Sequence, residues 1–215
     1  LMINVALFGF GRIGQMHGGN LFQHPRFNLK YVYDKDENLA KKSERMFKAR
    51  SIKNYKIALM DKSISVIFIA SSTPTHINFI RESALYKKTI FCEKPLDLDL
   101  NKIVKCKKYI KKFSPRIQLG FNRRYDPGHY YLKKSIDQKK IGTLQKIIIT
   151  CRDPAPPPLA YLKTAGGIFK DMIIHDFDLI RFYLKNDPIK EVFATTSDLS
   201  EYSKLFKKVK DFELA

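Results

Sequence analysis

Residues 3–14, which read INVALFGFGRIG, decide the fold of this chain. Residues 3–8 are apolar and rich in β-forming side chains, and a cluster of glycines follows before helical spacing begins at Ile13. This order predicts a strand, a tight turn and a helix.

Gly9, Gly11 and Gly14 have the GxGxxG spacing of a loop that binds a dinucleotide. The first glycine permits the turn, the second lets the backbone approach the pyrophosphate, and the third allows the helix to pack closely on the strand. Asp34 follows Gly14 by twenty residues, at the end of the second predicted strand. A carboxylate there accepts hydrogen bonds from ribose hydroxyls and repels a 2′-phosphate. We therefore predict NAD as the cofactor, with Lys35 weakening the preference over NADP.

Apolar runs alternate with helical patterns along the first half of the chain. Strands are predicted at residues 3–8, 29–33, 66–70, 89–92 and 117–121, and helices at residues 13–22, 39–47, 75–87 and 98–113. Such an alternation predicts an α/β fold, a doubly wound parallel sheet with helices on both faces. Residues 1–121 are therefore expected to form an NAD-binding Rossmann domain.

The remaining residues, 122–215, differ in character. They predict helices at residues 128–139 and 169–184, strands at residues 144–152 and 191–195, and a loop at residues 154–158. We expect a partial α+β domain that carries substrate-binding and catalytic groups.

The composition is strongly basic. The chain of 215 residues has 40 Lys plus Arg against 21 Asp plus Glu, a formal charge of +19. Such a charge favours nucleic acid, a membrane surface or a phosphorylated ligand as a partner. The lysines, however, are scattered through segments that also have apolar periodicity, with no arginine-rich tail. We expect a solvated surface, and neither a nucleic-acid nor a membrane partner.

The cysteines and the apolar runs indicate the cellular location of the protein. Cys92, Cys106 and Cys151 lie far apart and lack CxxC spacing, which argues against a disulfide framework and against a zinc site. No apolar run approaches the roughly 18 residues of a membrane span, and no signal peptide precedes the first strand. A cytoplasmic location is expected.

Two segments carry candidate chemistry. Glu93, Lys94 and Pro95 follow the strand predicted at residues 89–92, at the edge of a parallel sheet where ligands bind. A lysine there can bind a substrate hydroxyl, although in so lysine-rich a chain an ordinary surface lysine is the competing interpretation. In GGIFKDMIIHDFD, residues 166–178, a continuous helix would place Asp171, His175 and Asp178 on one face.

A histidine beside a carboxylate can take a hydroxyl proton near neutral pH. From the residues alone, two alternatives remain for Asp171, His175 and Asp178: they could bind a divalent metal, or the histidine could be purely structural. The metal alternative leaves the glycine turn and Asp34 unexplained, so no metal is expected.

The motifs together resemble the Gfo/Idh/MocA family of NAD(P)-dependent sugar and polyol dehydrogenases. The resemblance covers essentially the whole chain and rests on GFGRIG at residues 9–14, TPTH at 73–76, EKPL at 93–96 and GGIFKDMIIHDFD at 166–178. Within the family, FNRRYDP at residues 121–127 and RDPAPPPLAY at residues 152–161 are most similar to inositol 2-dehydrogenases. The resemblance implies oxidation of myo-inositol to scyllo-inosose.

The resemblance also implies roles for individual residues. His175 would be the general base, Lys94 would hold and polarise the reacting hydroxyl, and Asp171 would position the substrate and the histidine. The implied substrate-binding residues are Lys94, Arg124, Asp153, Tyr161, Asp171 and His175. The implied cofactor-binding residues are Gly9, Gly11, Arg12, Ile13, Gly14, Asp34, Ser71, Thr73, Pro74, His76 and Glu93.

The chain departs from the family in length. Family members continue for roughly a hundred residues that complete the sheet of the second domain and usually form the subunit interface, so we expect a C-terminally truncated sequence or a fragment. Full-length relatives are expected to be homo-oligomers. The open alternatives are a dehydrogenase for scyllo-inositol or a related sugar, and a truncated protein that binds NAD without turnover.

Overall fold

The computed structural model describes residues 2–153, 155, 157–158, 161, 164–185 and 187–195. The chain divides into two compact units, residues 1–120 and residues 121–215.

The first unit is built on one parallel sheet of six strands in the order β3-β2-β1-β4-β5-β6. The strands are β1 (Ile3–Phe8), β2 (Phe27–Tyr33), β3 (Arg50–Ser51), β4 (Ile64–Ile69), β5 (Thr89–Cys92) and β6 (Ile117–Leu119). The helices between them are α1 (Arg12–Gln23), α2 (Glu37–Phe47), α3 (Lys56–Met60), α4 (Thr73–Leu85) and α5 (Leu100–Ile110). This topology confirms the predicted doubly wound sheet.

β1 lies in the interior of the sheet, and its residues are buried on both faces. Val5, Ala6, Leu7 and Phe8 have no exposed surface, and β1 pairs in parallel with β2 on one side and β4 on the other. Alternate side chains of the strand enter the two apolar clusters on opposite faces of the sheet. The order of the strands changes direction at β1, since β2 and β3 lie on one side of it and β4, β5 and β6 on the other. The carboxyl ends of β1 and β4 therefore border the crevice in which such sheets bind ligands.

The first unit differs from the prediction in small elements. The two residues of β3 and the five residues of α3 are too short to produce a recognisable periodicity in the sequence. The predicted helix at residues 98–113 begins at Leu100, after the N-cap Asp99, and ends as the 3-10 turn Lys111–Phe113.

The second unit contains the 3-10 turn Asn122–Tyr125 and the helices α6 (Pro127–Asp137), α7 (Ile168–Asp171) and α8 (Ile174–Leu184). The predicted strands at residues 144–152 and 191–195 are wrong, because the described residues of this unit contain no strand. A strand needs a neighbour for its backbone groups, and none of those residues pairs with either segment. The predicted loop at residues 154–158 is described only at residues 155, 157 and 158.

Candidate active site

The glycine loop between β1 and α1 is tightly packed at its two ends. Gly9 has φ +94°, and a Cβ atom there would lie 2.4 Å from the backbone of Ser71. A Cβ atom on Gly14 would lie 2.1 Å from the carbonyl oxygen of Gly9. Any side chain at either position would force the backbone apart, so both positions require glycine.

Gly11, between them, has a different environment. A Cβ atom there would meet nothing within 4 Å, and Gly11 is the N-cap of α1 without a side-chain acceptor for the helix N–H groups. Free N–H groups at the start of a helix attract negative charge, and Arg12 and Ile13 are the first helical residues. The open space and the free donors fit the pyrophosphate of NAD.

Asp34 lies at the end of β2 and holds the loop in place. Its Oδ2 accepts the backbone N–H of Phe10 at 2.7 Å, and its Oδ1 accepts the N–H of Asp36 at 2.9 Å. A carboxylate oxygen has capacity for further hydrogen bonds. Asp34 can therefore hold the glycine loop in place and, at the same time, accept a hydrogen bond from a ribose hydroxyl.

The segment after β4 contributes the predicted residues Ser71, Thr73, Pro74 and His76. Ser71 Oγ lies 2.6 Å from Thr75 Oγ1, and the first two residues of α4 are Thr73 and Pro74. His76 is only 1% exposed. This histidine is enclosed by protein, whereas the resemblance implies a position beside the cofactor.

Glu93, directly before Lys94, is paired with a residue that the sequence analysis did not single out. His17 of α1 places Nε2 at 2.7 Å from Glu93 Oε1, and its ring packs on Phe68 and Phe91 with centroid distances of 4.6 and 5.6 Å. The other carboxylate oxygen of Glu93 lies 3.2 Å from the backbone nitrogen of Lys94. The position of His17, on the helix that follows the glycine loop, was the available sequence signal.

In the second unit, the predicted continuous helix at residues 169–184 is wrong. α7 ends at Asp171, and α8 begins at Ile174, after a turn. The Tyr161 hydroxyl donates to Asp171 Oδ1 at 2.8 Å, and the His175 ring stands edge-on to Phe121 at 6.3 Å. The structure thus joins two of the implied substrate residues, Tyr161 and Asp171, although the helical spacing that suggested a common face does not apply.

Two arginines of the Asn122–Tyr125 turn bind α8 through the acidic residues on either side of Phe177. Arg124 donates Nε and Nη2 to the two oxygens of Asp178, at 2.7 and 2.6 Å, and this pairing raises the pKa of the guanidinium. Arg123 pairs with Asp176 and also donates to Cys151 Sγ at 3.2 Å. Both aspartates are buried, so these pairs anchor the helix that carries His175.

Asp153 is exposed, Lys94 belongs to the first unit, and Asp171 and His175 belong to the second.

Within the described residues, no group of three or more His, Cys, Asp and Glu side chains is arranged to hold a metal ion. In the same part of the chain, no helix is both long and apolar enough to cross a membrane.

Residues 3–121 match the family model of the Gfo/Idh/MocA oxidoreductases, described as an NAD-binding Rossmann fold. Residues 129–212 match the C-terminal domain model of the same group. The chain is 36% identical over 201 residues to an inositol 2-dehydrogenase of Rhizobium meliloti. That match covers 93% of this chain and 60% of the relative, so the chain spans less than two thirds of the relative's length.

Solved structures give the same result. A putative myo-inositol dehydrogenase from Sinorhizobium meliloti is 35% identical with a TM-score of 0.83, and the match covers 87% of this chain and 57% of that one. A scyllo-inositol dehydrogenase from Lactobacillus casei, solved with NAD(H) and scyllo-inositol, is 28% identical with a TM-score of 0.75. The latter match covers 85% of this chain and 56% of that one.

Proposed function

Because this chain belongs to the Gfo/Idh/MocA oxidoreductase family, we propose that it catalyses the NAD-dependent oxidation of a cyclic polyol, with myo-inositol as substrate and scyllo-inosose as product. The observation that carries the proposal is the 36% identity to an inositol 2-dehydrogenase over 93% of the chain. The glycine loop supports the cofactor half of the proposal, because Gly11 leaves open space at the free N-terminus of α1.

NAD, when bound, supplies the acceptor for the hydride that leaves the alcohol carbon. The substrate hydroxyl gives its proton to His175, and the carbon–hydrogen bond breaks as the carbon–oxygen double bond forms. The products are one ketone, one NADH and one proton, so atoms and electrons balance. Proton transfer to a positioned base contributes roughly a hundred- to ten-thousandfold to such a rate.

The other residues of the proposal hold the substrate and the base. Lys94 polarises the reacting hydroxyl as a hydrogen-bond donor. Asp171 positions the substrate and the histidine, and its hydrogen bond from the Tyr161 hydroxyl supports this role by fixing the carboxylate. Arg124 and Asp153 are assigned to the polyol, although the bidentate bond of Arg124 to Asp178 also makes it an anchor of α8.

The test is NADH formation by the purified 215-residue chain with NAD and, separately, myo-inositol, scyllo-inositol and glucose. The proposal expects turnover, fastest with myo-inositol. Faster turnover with scyllo-inositol would favour the second candidate, which the similarity to the Lactobacillus casei enzyme supports. Binding of NAD without turnover on any of the three would contradict the enzymatic proposal and favour a protein that only binds the dinucleotide.

A further inference from the structure

His76 lies on α4, is 1% exposed, and contacts two separate backbone segments through its ring nitrogens. Its Nε2 lies 2.9 Å from the carbonyl oxygen of Ser71, in the segment after β4. Its Nδ1 lies 2.8 Å from the carbonyl oxygen of Pro95, in the segment after β5. One buried side chain therefore bridges the segments that follow two neighbouring strands at the carboxyl edge of the sheet.

Both partners of the ring are acceptors. Which ring nitrogen donates depends on the tautomer, so at least one of the two short contacts is a hydrogen bond to a carbonyl oxygen. A buried carbonyl oxygen is costly to leave without a donor, so the ring helps to hold these two segments together.

The bridge fixes the residue that precedes Pro95, which is Lys94. On its other side the same segment is held where Glu93 donates its backbone N–H to the carbonyl oxygen of Ile69 at 2.9 Å. Ser71, at the other end of the bridge, is the residue against which Gly9 packs. The segment that carries Lys94 and the segment that supports the glycine loop are thus connected through one imidazole.

We infer that His76 is a positioning residue: it sets the backbone of Lys94 relative to the segment after β4 and makes no direct contact with the cofactor. This role differs from the direct cofactor contact that the family resemblance implies for His76. It rests on the proposed function only in that Lys94 acts on the substrate. The bridge itself is a property of the first unit and can be tested without turnover.

The test compares His76→Leu with Phe79→Leu, a second buried substitution on α4 that leaves the bridge in place. In His76→Leu, we expect amide hydrogen exchange in residues 93–99 to become faster by on the order of tenfold or more relative to the rest of the sheet. In Phe79→Leu, exchange in residues 93–99 should follow the rest of the sheet. Equal local exchange in the two variants would overturn the inference.

NAD titration and kinetics separate positioning from cofactor contact. In His76→Leu, the Kd for NAD should stay within about threefold of the parent, while kcat falls roughly tenfold to a hundredfold because Lys94 is misplaced. His76→Gln, whose amide nitrogen retains donors, should recover part of kcat and part of the exchange protection. A large loss of NAD affinity with unchanged exchange would instead identify His76 as a cofactor ligand.

If the parent chain has no turnover with any polyol, the proposed function fails, whereas hydrogen exchange still decides the role of His76.

Discussion

Asp34 and Phe10 are joined by a hydrogen bond of 2.7 Å, in which the backbone N–H in the middle of the glycine loop donates to the carboxylate at the end of β2. The residue expected to select NAD by its ribose is therefore also bonded to the loop that is expected to bind the pyrophosphate. Loss of this carboxylate should therefore weaken the binding of both the adenosine ribose and the pyrophosphate.

Asp34→Ala should weaken NAD binding about ten- to a hundredfold, because a charge-assisted hydrogen bond to the ribose is lost and Phe10 loses its acceptor. Asp34→Asn keeps an acceptor for Phe10 and should lose less affinity. Fluorescence titration with NAD measures both constants, and Asp97→Ala, which removes a carboxylate from the segment after Glu93, is the control. An unchanged Kd in Asp34→Ala would contradict the role of Asp34.

Gly9→Ala should lower stability, whereas Gly11→Ala should lower NAD affinity and leave stability unchanged. Alanine at position 9 meets the backbone of Ser71 and adopts a φ of +94°, which costs more than about 1–2 kcal/mol from backbone strain alone. We expect its Tm to fall by more than about 4 °C. Alanine at position 11 meets nothing, so its Tm should stay close to that of the parent while NAD affinity falls. Equal loss of Tm in the two variants would argue against this description of the loop.

His175→Ala should lower kcat by roughly a hundred- to ten-thousandfold and leave the Kd for NAD nearly unchanged, because the base acts on the substrate proton and not on the cofactor. His24→Ala, at an exposed histidine, serves as the control and should behave as the parent. Steady-state kinetics and NAD titration provide the two readouts. Parent-like kcat in His175→Ala would remove the general-base assignment.

Asp61 should control stability in acid. Lys30 donates to its carboxylate at 2.7 Å, Tyr31 at 3.0 Å and the Ser63 backbone at 2.8 Å, and these bonds hold the pKa of Asp61 well below its usual range. The native state therefore binds this proton more weakly than the unfolded state, so the stabilisation is complete above about pH 5 and is lost as the pH falls further.

Asp61→Asn should lower the free energy of unfolding at neutral pH by about 1–3 kcal/mol and reduce its dependence on pH in acid. Urea unfolding at a series of pH values measures both effects. Asp36→Asn is a matched control, because this exposed aspartate caps α2 and its replacement by Asn preserves a good N-cap. If the free energy of unfolding fell with pH in the same way in the parent and in Asp61→Asn, Asp61 would not be the source of the acid dependence.

Much of the first unit follows from the sequence because its signals are local. The apolar run of β1, the glycine spacing and the position of Asp34 each determine structure within a few residues, and the sheet topology follows from the alternation of strands and helices. The second unit is harder to predict. Residues 144–152 have the composition of a strand, but a strand depends on a partner elsewhere in the chain, and Ile148 is 76% exposed.

The sites that the sequence did not reveal depend on contacts between distant residues. His17 pairs with Glu93 from 76 positions away, and Arg123 pairs with Asp176 from 53 positions away. Composition alone does not distinguish the two arginines of the FNRRYDP segment from the other basic residues of the chain. Only the fold brings the acidic partners on α8 to them, and Asp178 consequently anchors Arg124, whereas the continuous-helix interpretation had placed it beside His175.

The most direct measurement of the central claim uses myo-inositol deuterated at the carbon that is oxidised, with NAD and the purified 215-residue chain. Mass spectrometry of the nicotinamide product measures where the deuterium goes. One deuterium should be transferred to the reduced cofactor for each ketone formed. Formation of the ketone without deuterium in the reduced cofactor, or the absence of any ketone while NAD is bound, would contradict the proposed oxidation of the polyol by hydride transfer to NAD.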